Sequence, residues 1–216
     1  MLTLHHLDHS RSQRVLWLLE ELELPYEIKR YSRDRQTMLA PAELKKVHPL
    51  GKSPVITDDD LTLAESAAIL EYLLERYGNG RLAPPTGSPE HLRFRYWMHY
   101  AEGSAMPPLL LKLVFDRVAN GPMPFFVRPV AKAIASGANK AFIGPQLKLH
   151  LDYLESELGK YAWFAGDEFS AADIQMSFPL EAAQSRAGLD ASRPRLSAFL
   201  QRIRERERGG PVMPGR

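Results

Sequence analysis

Glu65 and Ser66 stand where a β-prone run gives way to helical periodicity, a place suited to holding a ligand carboxylate. Ile69, Leu73 and Tyr77 then fall on one helical face, flanked by Leu70 and Leu74, while Glu71, Glu75 and Arg76 can stay in water. The first N–H groups of that helix lack internal partners and carry the positive end of its dipole, so they form a seat for an anion. Taken alone, the pair reads more readily as a helix cap with a first-turn charge. A second polar cluster, Ser10-Arg11-Ser12, follows the run His5-His6-Leu7-Asp8-His9. These histidines resemble metal ligands, but neighbours on a strand point to opposite faces, so His5 and His6 cannot share an ion and no metal site is expected. Solvated or partly buried histidines at a strand end are the better expectation. Ser10 beside His9 makes no hydrolase, since adjacent side chains diverge and no G-x-S-x-G elbow surrounds the serine. The chain has no cysteine, so any thiol chemistry must arrive with a ligand. The phosphate-cradling patterns G-x-G-x-x-G and G-x-x-x-x-G-K-[ST] are absent.

These residues need elements to position them. Leu2 and Leu4 alternate with Thr3 and His5, as in a strand with one buried face. Val15, Leu18, Leu19 and Leu22 recur at helical spacing, which predicts a helix from near Ser12, its default N-cap, to just before Pro25. Tyr26–Tyr31 reads as a second strand closing a β-α-β unit, whose crossover should be right-handed. Val55-Ile56-Thr57 and Leu61-Thr62-Leu63 flank three aspartates that tolerate turn geometry, so a hairpin is expected. Pro54 has no N–H to give a central ladder, which puts it at an edge or in a sharp bend. Only about 5–6% of X–Pro bonds in folded proteins are cis, so composition alone favours trans. Residues 32–49 are polar and irregular, with a short helical patch at 42–47.

The combination Pro49-Leu50-Gly51-Lys52-Ser53-Pro54-Val55, an acidic turn, then Glu65-Ser66-Ala67-Ala68-Ile69 resembles the glutathione-binding half of the glutathione S-transferase family. The likeness covers the whole chain, strongly up to Tyr77 and more loosely after it. It implies an α/β thioredoxin-like N-terminal domain followed by an all-α C-terminal domain, with glutathione as co-substrate and no metal. It implies a cis Pro54 that exposes the Ser53 backbone to the cysteinyl part of glutathione. Glu65 and Ser66 would hold the γ-glutamyl end, and Lys52 and His48 the glycyl end. Ser53 departs from the family, which usually carries an aliphatic residue there; its contact runs through the backbone, so little harm is expected. Ser10 would donate its hydroxyl to the glutathione sulfur, with Arg11 or Ser12 as alternatives because the spacing here does not match every class. A free thiol near pKa 8.5 is only a few per cent ionised at neutral pH. Lowering that by two units takes about 2.7 kcal/mol, within reach of one charge-assisted hydrogen bond and a helix dipole.

The chain of 216 residues, 44% hydrophobic and 25% charged with net charge +2, reads as two small globular domains. Its charges are interleaved and no nucleic-acid footprint appears apart from a short arginine-rich tail. No apolar run approaches a membrane span and residues 1–13 lack a signal-peptide pattern, so no membrane partner and a cytoplasmic location are expected. A turn-rich stretch, Gly78-Asn79-Gly80 through Pro84-Pro85-Thr86-Gly87, divides the chain into domains at 1–78 and 89–216 with a linker at 79–88. Ser88-Pro89-Glu90 is a helix start, and the helix it opens carries Leu92, Tyr96 and His99 on one face and Phe94, Trp97 and Ala101 on another, which suggests a homodimer contact. The zone from Met106-Pro107-Pro108 to Phe126 reads mostly as core, yet its prolines and methionines could line a pocket for a small hydrophobic electrophile. Met106, Phe115, His99 and Tyr100 are its candidates. Leu147, Leu151, Leu154 and Leu158 mark a long helix ending near Gly159. Ser170 and Asp173 form a capping box, with Phe169 against Ile174 as a hydrophobic staple. Residues 202–216 read as a frayed basic tail. A transferase conjugating glutathione to electrophiles is the leading expectation. A glutathione-dependent peroxidase or disulfide reductase, or a non-catalytic binding module of the same fold, are the alternatives.

Overall fold

The computed structural model of the chain describes residues 1–209. Strand β1 (Leu2–Leu7), helix α1 (Ser12–Glu21) and strand β2 (Glu27–Tyr31) form the β-α-β unit, with β1 and β2 parallel and His6 opposite Arg30. Strand β3 (Val55–Asp58) runs antiparallel to β1, and β4 (Leu61–Ala64) returns antiparallel to β3, giving the order β2-β1-β3-β4. The turn between β3 and β4 holds Asp59 at φ 50, a conformation aspartate tolerates. Since β3 lies inside the sheet, Pro54 occupies the bend leading into it rather than an edge, and the Ser53–Pro54 bond is cis.

Helix α2 (Ser66–Tyr77) packs Ile69, Leu70 and Leu73 with Leu4, Ile56, Val15 and Leu19 into the main core. Its last two turns are also tied by hydrogen bonds: the Tyr72 and Tyr77 hydroxyls both donate to Asp58 Oδ2, at 2.8 and 2.5 Å. The Tyr77 bond, ahead of the opposing effect of burial, holds the Asp58 carboxyl below the usual carboxylate range. That clasp fixes α2 against the hairpin and so fixes where its N-terminus lies. The patch after β2 is a short 3₁₀ turn, Ala42–Lys46, whose Leu44 packs with Leu7 and Tyr31 on the other side of the sheet.

The regular elements described after residue 88 are all helices, joined by turns and short irregular stretches. Ser88 caps α3 (Pro89–Tyr100) by accepting from His91 N–H at 3.1 Å. A wide turn at Ala101–Ala105, with i→i+5 hydrogen bonding, joins it to α4 (Met106–Asn120). Pro107 and Pro108 sit in the first turn of α4, where a missing N–H costs little, so the helix is unbroken rather than proline-interrupted. Helix α5 (Arg128–Ala138) joins α6 (Gly144–Glu157) through a second wide turn, and α7 (Ala171–Arg186) and α8 (Pro194–Gly209) complete the domain. The expected frayed tail is helical over 202–209; residues 210–216 lie outside the described ones. The core expectation for the Met106–Phe126 zone holds at Met106, Pro108 and Leu109 and fails at Leu110, Leu111, Phe125 and Phe126, which are exposed.

The deepest polar feature of the helical domain is Asp173, fully buried, which accepts from Ser170 N–H and Phe164 N–H at 2.9 Å each. Burial pushes its carboxyl up to about 7 against the pull of these donors. Phe169 takes Trp17 and Trp163 as its ring partners, at 5.8 and 5.0 Å, so the residue expected as a local staple also reaches α1. The two halves meet more tightly at Arg14. Pro179, inside α7, has no N–H to give the Gln175 carbonyl one turn earlier, and the Arg14 guanidinium supplies the missing donor at 3.1 Å. Its Nη1 also donates to Gln175 Oε1 and its Nη2 to Glu102 on the wide turn, while Nε has no partner among the described residues. Burial lowers the Arg14 pKa to about 10, offset in part by Glu102, and the residue stays cationic at neutral pH. No described helix is long and apolar enough to cross a membrane.

Candidate active site

Strand register brings the chemically suggestive residues to one end of the sheet. His5 pairs with Val55, and Val55 with Ala64, so the exit of β1, the Ser53–Pro54 bend and Glu65 are neighbours there. Helix α1 starts from the same place.

At that place four polar side chains make a connected cluster. Ser10 Oγ lies 2.8 Å from Ser12 Oγ and 3.1 Å from Ser53 Oγ. Ser12 Oγ lies 3.0 Å from His6 Nδ1. Ser53 Oγ donates to the His5 carbonyl at 3.3 Å. Ser12 is not the N-cap that helical periodicity suggests. Arg11 holds that position without a side-chain bond, and Ser12 is the first helical residue, its N–H donating to Ser10 Oγ at 3.2 Å. Ser12 is fully enclosed and its hydroxyl is engaged with His6, Ser10 and, at 3.4 Å, the Leu7 carbonyl, whereas Ser10 borders a cavity of about 230 Å³. The Arg11 side chain turns away to Glu102 at 3.0 Å and lies over the Phe178 ring.

Glu65 occupies the N-cap position of α2 at φ 73 and ψ 123, with no side-chain capping bond. The bland role of a capping carboxylate is therefore not the one it plays. A non-glycine residue at positive φ costs about 1–3 kcal/mol and persists where something else requires it. Glu65 is exposed while Ser66 is buried at the first turn, so a carboxylate and the first N–H groups of the helix lie side by side at its N-terminus. Lys52 is exposed, and His48 is partly buried with Nδ1 unpartnered among the described residues.

The four residues expected around an electrophile do not gather at Ser10. His99 is exposed, Tyr100 is buried with its hydroxyl against His150 Nδ1, Met106 is in the core and Phe115 packs on it. The cavity beside Ser10 is walled instead by His9 and Trp17 from the first half and by Phe178, Glu181 and Arg186 from α7. Residue spacing also passed over His6 and Glu102. His5 and His6 do point to opposite faces, but both are buried rather than solvated: His5 binds Tyr31 Oη and Thr57 Oγ1, and His6 binds Ser12. Burial lowers the pKa of both. A histidine alternating in phase with Leu2 and Leu4 was the available signal for His6, since that phase faces α1. Among the described residues no cluster has the makings of a metal site.

Profiles described as "Glutathione S-transferase, N-terminal domain" and "Glutathione S-transferase, C-terminal domain" match residues 10–76 and 138–207. Glutathione S-transferase 3 of Schizosaccharomyces pombe is 42% identical over 85% of this chain and 75% of its own length. The chain belongs to the glutathione S-transferase family. A crystal structure of a glutathione S-transferase from Actinobacillus pleuropneumoniae is 34% identical, with TM-score 0.78 over 94% of this chain and 86% of its own. A sphingomonad glutathione S-transferase complexed with glutathione is 26% identical, with TM-score 0.69 over 93% of this chain and 92% of its own. As a transferase of this family, the chain has the thioredoxin-like domain with a mixed four-stranded sheet and the helical second domain.

Proposed function

We propose that the protein is a cytoplasmic, detoxifying glutathione transferase that joins the glutathione thiolate to small hydrophobic electrophiles. Residues 1–78 would bind glutathione, 79–88 would link, and 89–216 would supply the electrophile wall and the dimer contact. The reading rests above all on the Ser10 hydroxyl, a member of the connected cluster that borders a cavity. Approaching from that side, a thiolate would accept from Ser10 and pair its cysteinyl backbone with Ser53 beside the cis Pro54. The γ-glutamyl carboxylate would take the N–H groups and hydroxyl of Ser66, and its ammonium the Glu65 carboxylate. Lys52, with His48 behind it, suits the glycyl carboxylate. A bound glutathione in the sphingomonad relative supports the same choice of ligand.

Mechanistically, a hydroxyl donor and helix-terminal N–H groups stabilise the anion before the electrophile arrives, so each turnover starts from a formed nucleophile. Phe178 and Trp17 offer apolar area to the second substrate, and that wall replaces the one expected from residues 99–115.

Calorimetric titration of reduced glutathione into the wild type and Glu65→Gly tests the ligand assignment. Binding in the wild type, weakened at least tenfold in the variant, is expected. Equal affinities would refute the carboxylate seat. The exposed apolar face of α3, with Leu92 at 70% and Tyr96 at 46% exposure above buried Phe94 and Trp97, supports the homodimer. Light scattering should return twice the chain mass at micromolar concentration; a monomer mass would contradict it.

A further inference from the structure

Ser10 ends a chain of exchangeable protons that leads inward, from its Oγ to Ser12 Oγ at 2.8 Å and on to His6 Nδ1 at 3.0 Å. Each hydroxyl has one proton to give, so the chain has a direction. When Nδ1 is bare, Ser12 donates to His6 and is open to accept from Ser10, whose proton is then drawn away from any anion in the cavity. When Nδ1 is protonated, His6 donates to Ser12, Ser12 donates to Ser10 at 2.8 Å in preference to the Leu7 carbonyl at 3.4 Å, and the Ser10 O–H is freed for an anion in the cavity. Only the second arrangement serves a thiolate. Ser53 Oγ, 3.1 Å from Ser10, can accept from it, but its own proton goes to the His5 carbonyl, so that branch carries a proton no further.

Resting on the glutathione reading above, we propose that His6 receives the proton that the glutathione thiol loses. The S–H bond breaks and its proton joins Ser10 Oγ, the Ser10 proton passes to Ser12 Oγ, and the Ser12 proton forms the N–H bond at His6 Nδ1. Each oxygen gains one proton and loses one, no electron is transferred, and the products are a thiolate held by Ser10 and an imidazolium. The same transfer turns the chain into the arrangement that stabilises the thiolate. His6 is 4% exposed, and burial keeps it neutral in the empty site, ready to accept. Of the charged groups around it, Asp8 on the same segment favours the imidazolium and Arg30, its partner in register on β2, opposes it; α1 contributes the Ser12 hydroxyl. The thiolate is the counter-charge that the empty site lacks.

The proposal fixes where the proton is after binding, which a merely structural histidine would not affect. Glutathione is titrated into the wild type at pH 7 by calorimetry in buffers of different ionisation enthalpy, and thiolate is read in parallel by ultraviolet absorbance. The expected result is thiolate with well under one proton released per thiolate formed. In His6→Asn, which keeps a polar group for Ser12 but cannot take the proton, release should approach one per thiolate. The apparent thiol pKa should rise by about one unit, a tenfold loss of thiolate below it. Ser12→Ala should behave alike. Full release of one proton per thiolate in the wild type overturns the relay and leaves the transferase reading intact. Binding without any thiolate overturns both.

Discussion

At the scale of single residues, the site is built from side chains that violate local habit. Glu65 sits at φ 73 at the head of a helix it does not cap. Glycine adopts that conformation without strain, so Glu65→Gly should leave stability unchanged or raise it by up to about 1 kcal/mol while it weakens glutathione binding. A urea midpoint lowered by several kcal/mol equivalents would show that the carboxylate serves the fold instead. The motif Glu65-Ser66 was legible because both residues belong to one helix start. The Ser10–Ser12–His6 chain was not, because it depends on α1 lying across β1 at the phase of His6, a tertiary fact that spacing along the chain does not encode. Ser53 shows the same limit. Its departure from the aliphatic residue usual in the family looked harmless through the backbone, yet its hydroxyl joins the cluster at Ser10.

Among the elements, those with local start signals were read correctly. Ser88 and Ser170 announce α3 and α7 through their own caps, and the hairpin announces itself by its aspartates. Residues 99–115 do not follow one helical period. The wide turn at Ala101–Ala105 inserts one residue into the helical count, which rotates every later face by about 100° relative to 3.6-residue periodicity. Met106, which regular periodicity would place on the face of His99, is therefore turned away from it, and Glu102 is carried toward Arg11 and Arg14. The capping box of α7 is the element-scale test. Asp173→Ala would leave the Phe164 and Ser170 N–H groups buried without an acceptor, a loss of at least about 2 kcal/mol. In a domain of this size that lowers Tm by roughly 4–8 °C. Glutathione affinity should not change, and an unchanged Tm would contradict the assigned role.

For the whole molecule, two buried histidines, His5 and His6, and the half-buried His150 set the response to acid. Burial lowers the pKa of His5, His6 and His150 in the native state, so the unfolded chain binds more protons than the folded one between those lowered values and about 6.5. Stability should therefore fall as pH drops below about 6.5. Asp173, with its carboxyl raised to about 7, acts in the opposite sense between about 4 and 7, one proton against three. Urea midpoints lower at pH 5 than at pH 7 are expected, and a flat or reversed profile would contradict the native neutrality of these imidazoles. The halves themselves are joined by Arg14, through the Gln175 carbonyl that Pro179 leaves open and through Glu102, so the cavity beside Ser10 has a fixed far wall. That wall matters only if Ser10 makes a thiolate in front of it. The most direct measurement is the ultraviolet difference spectrum of glutathione bound to the wild type and to Ser10→Ala at neutral pH. A thiolate band present in the first and reduced at least tenfold in the second is the predicted result; an undiminished band in Ser10→Ala would remove Ser10 from the chemistry.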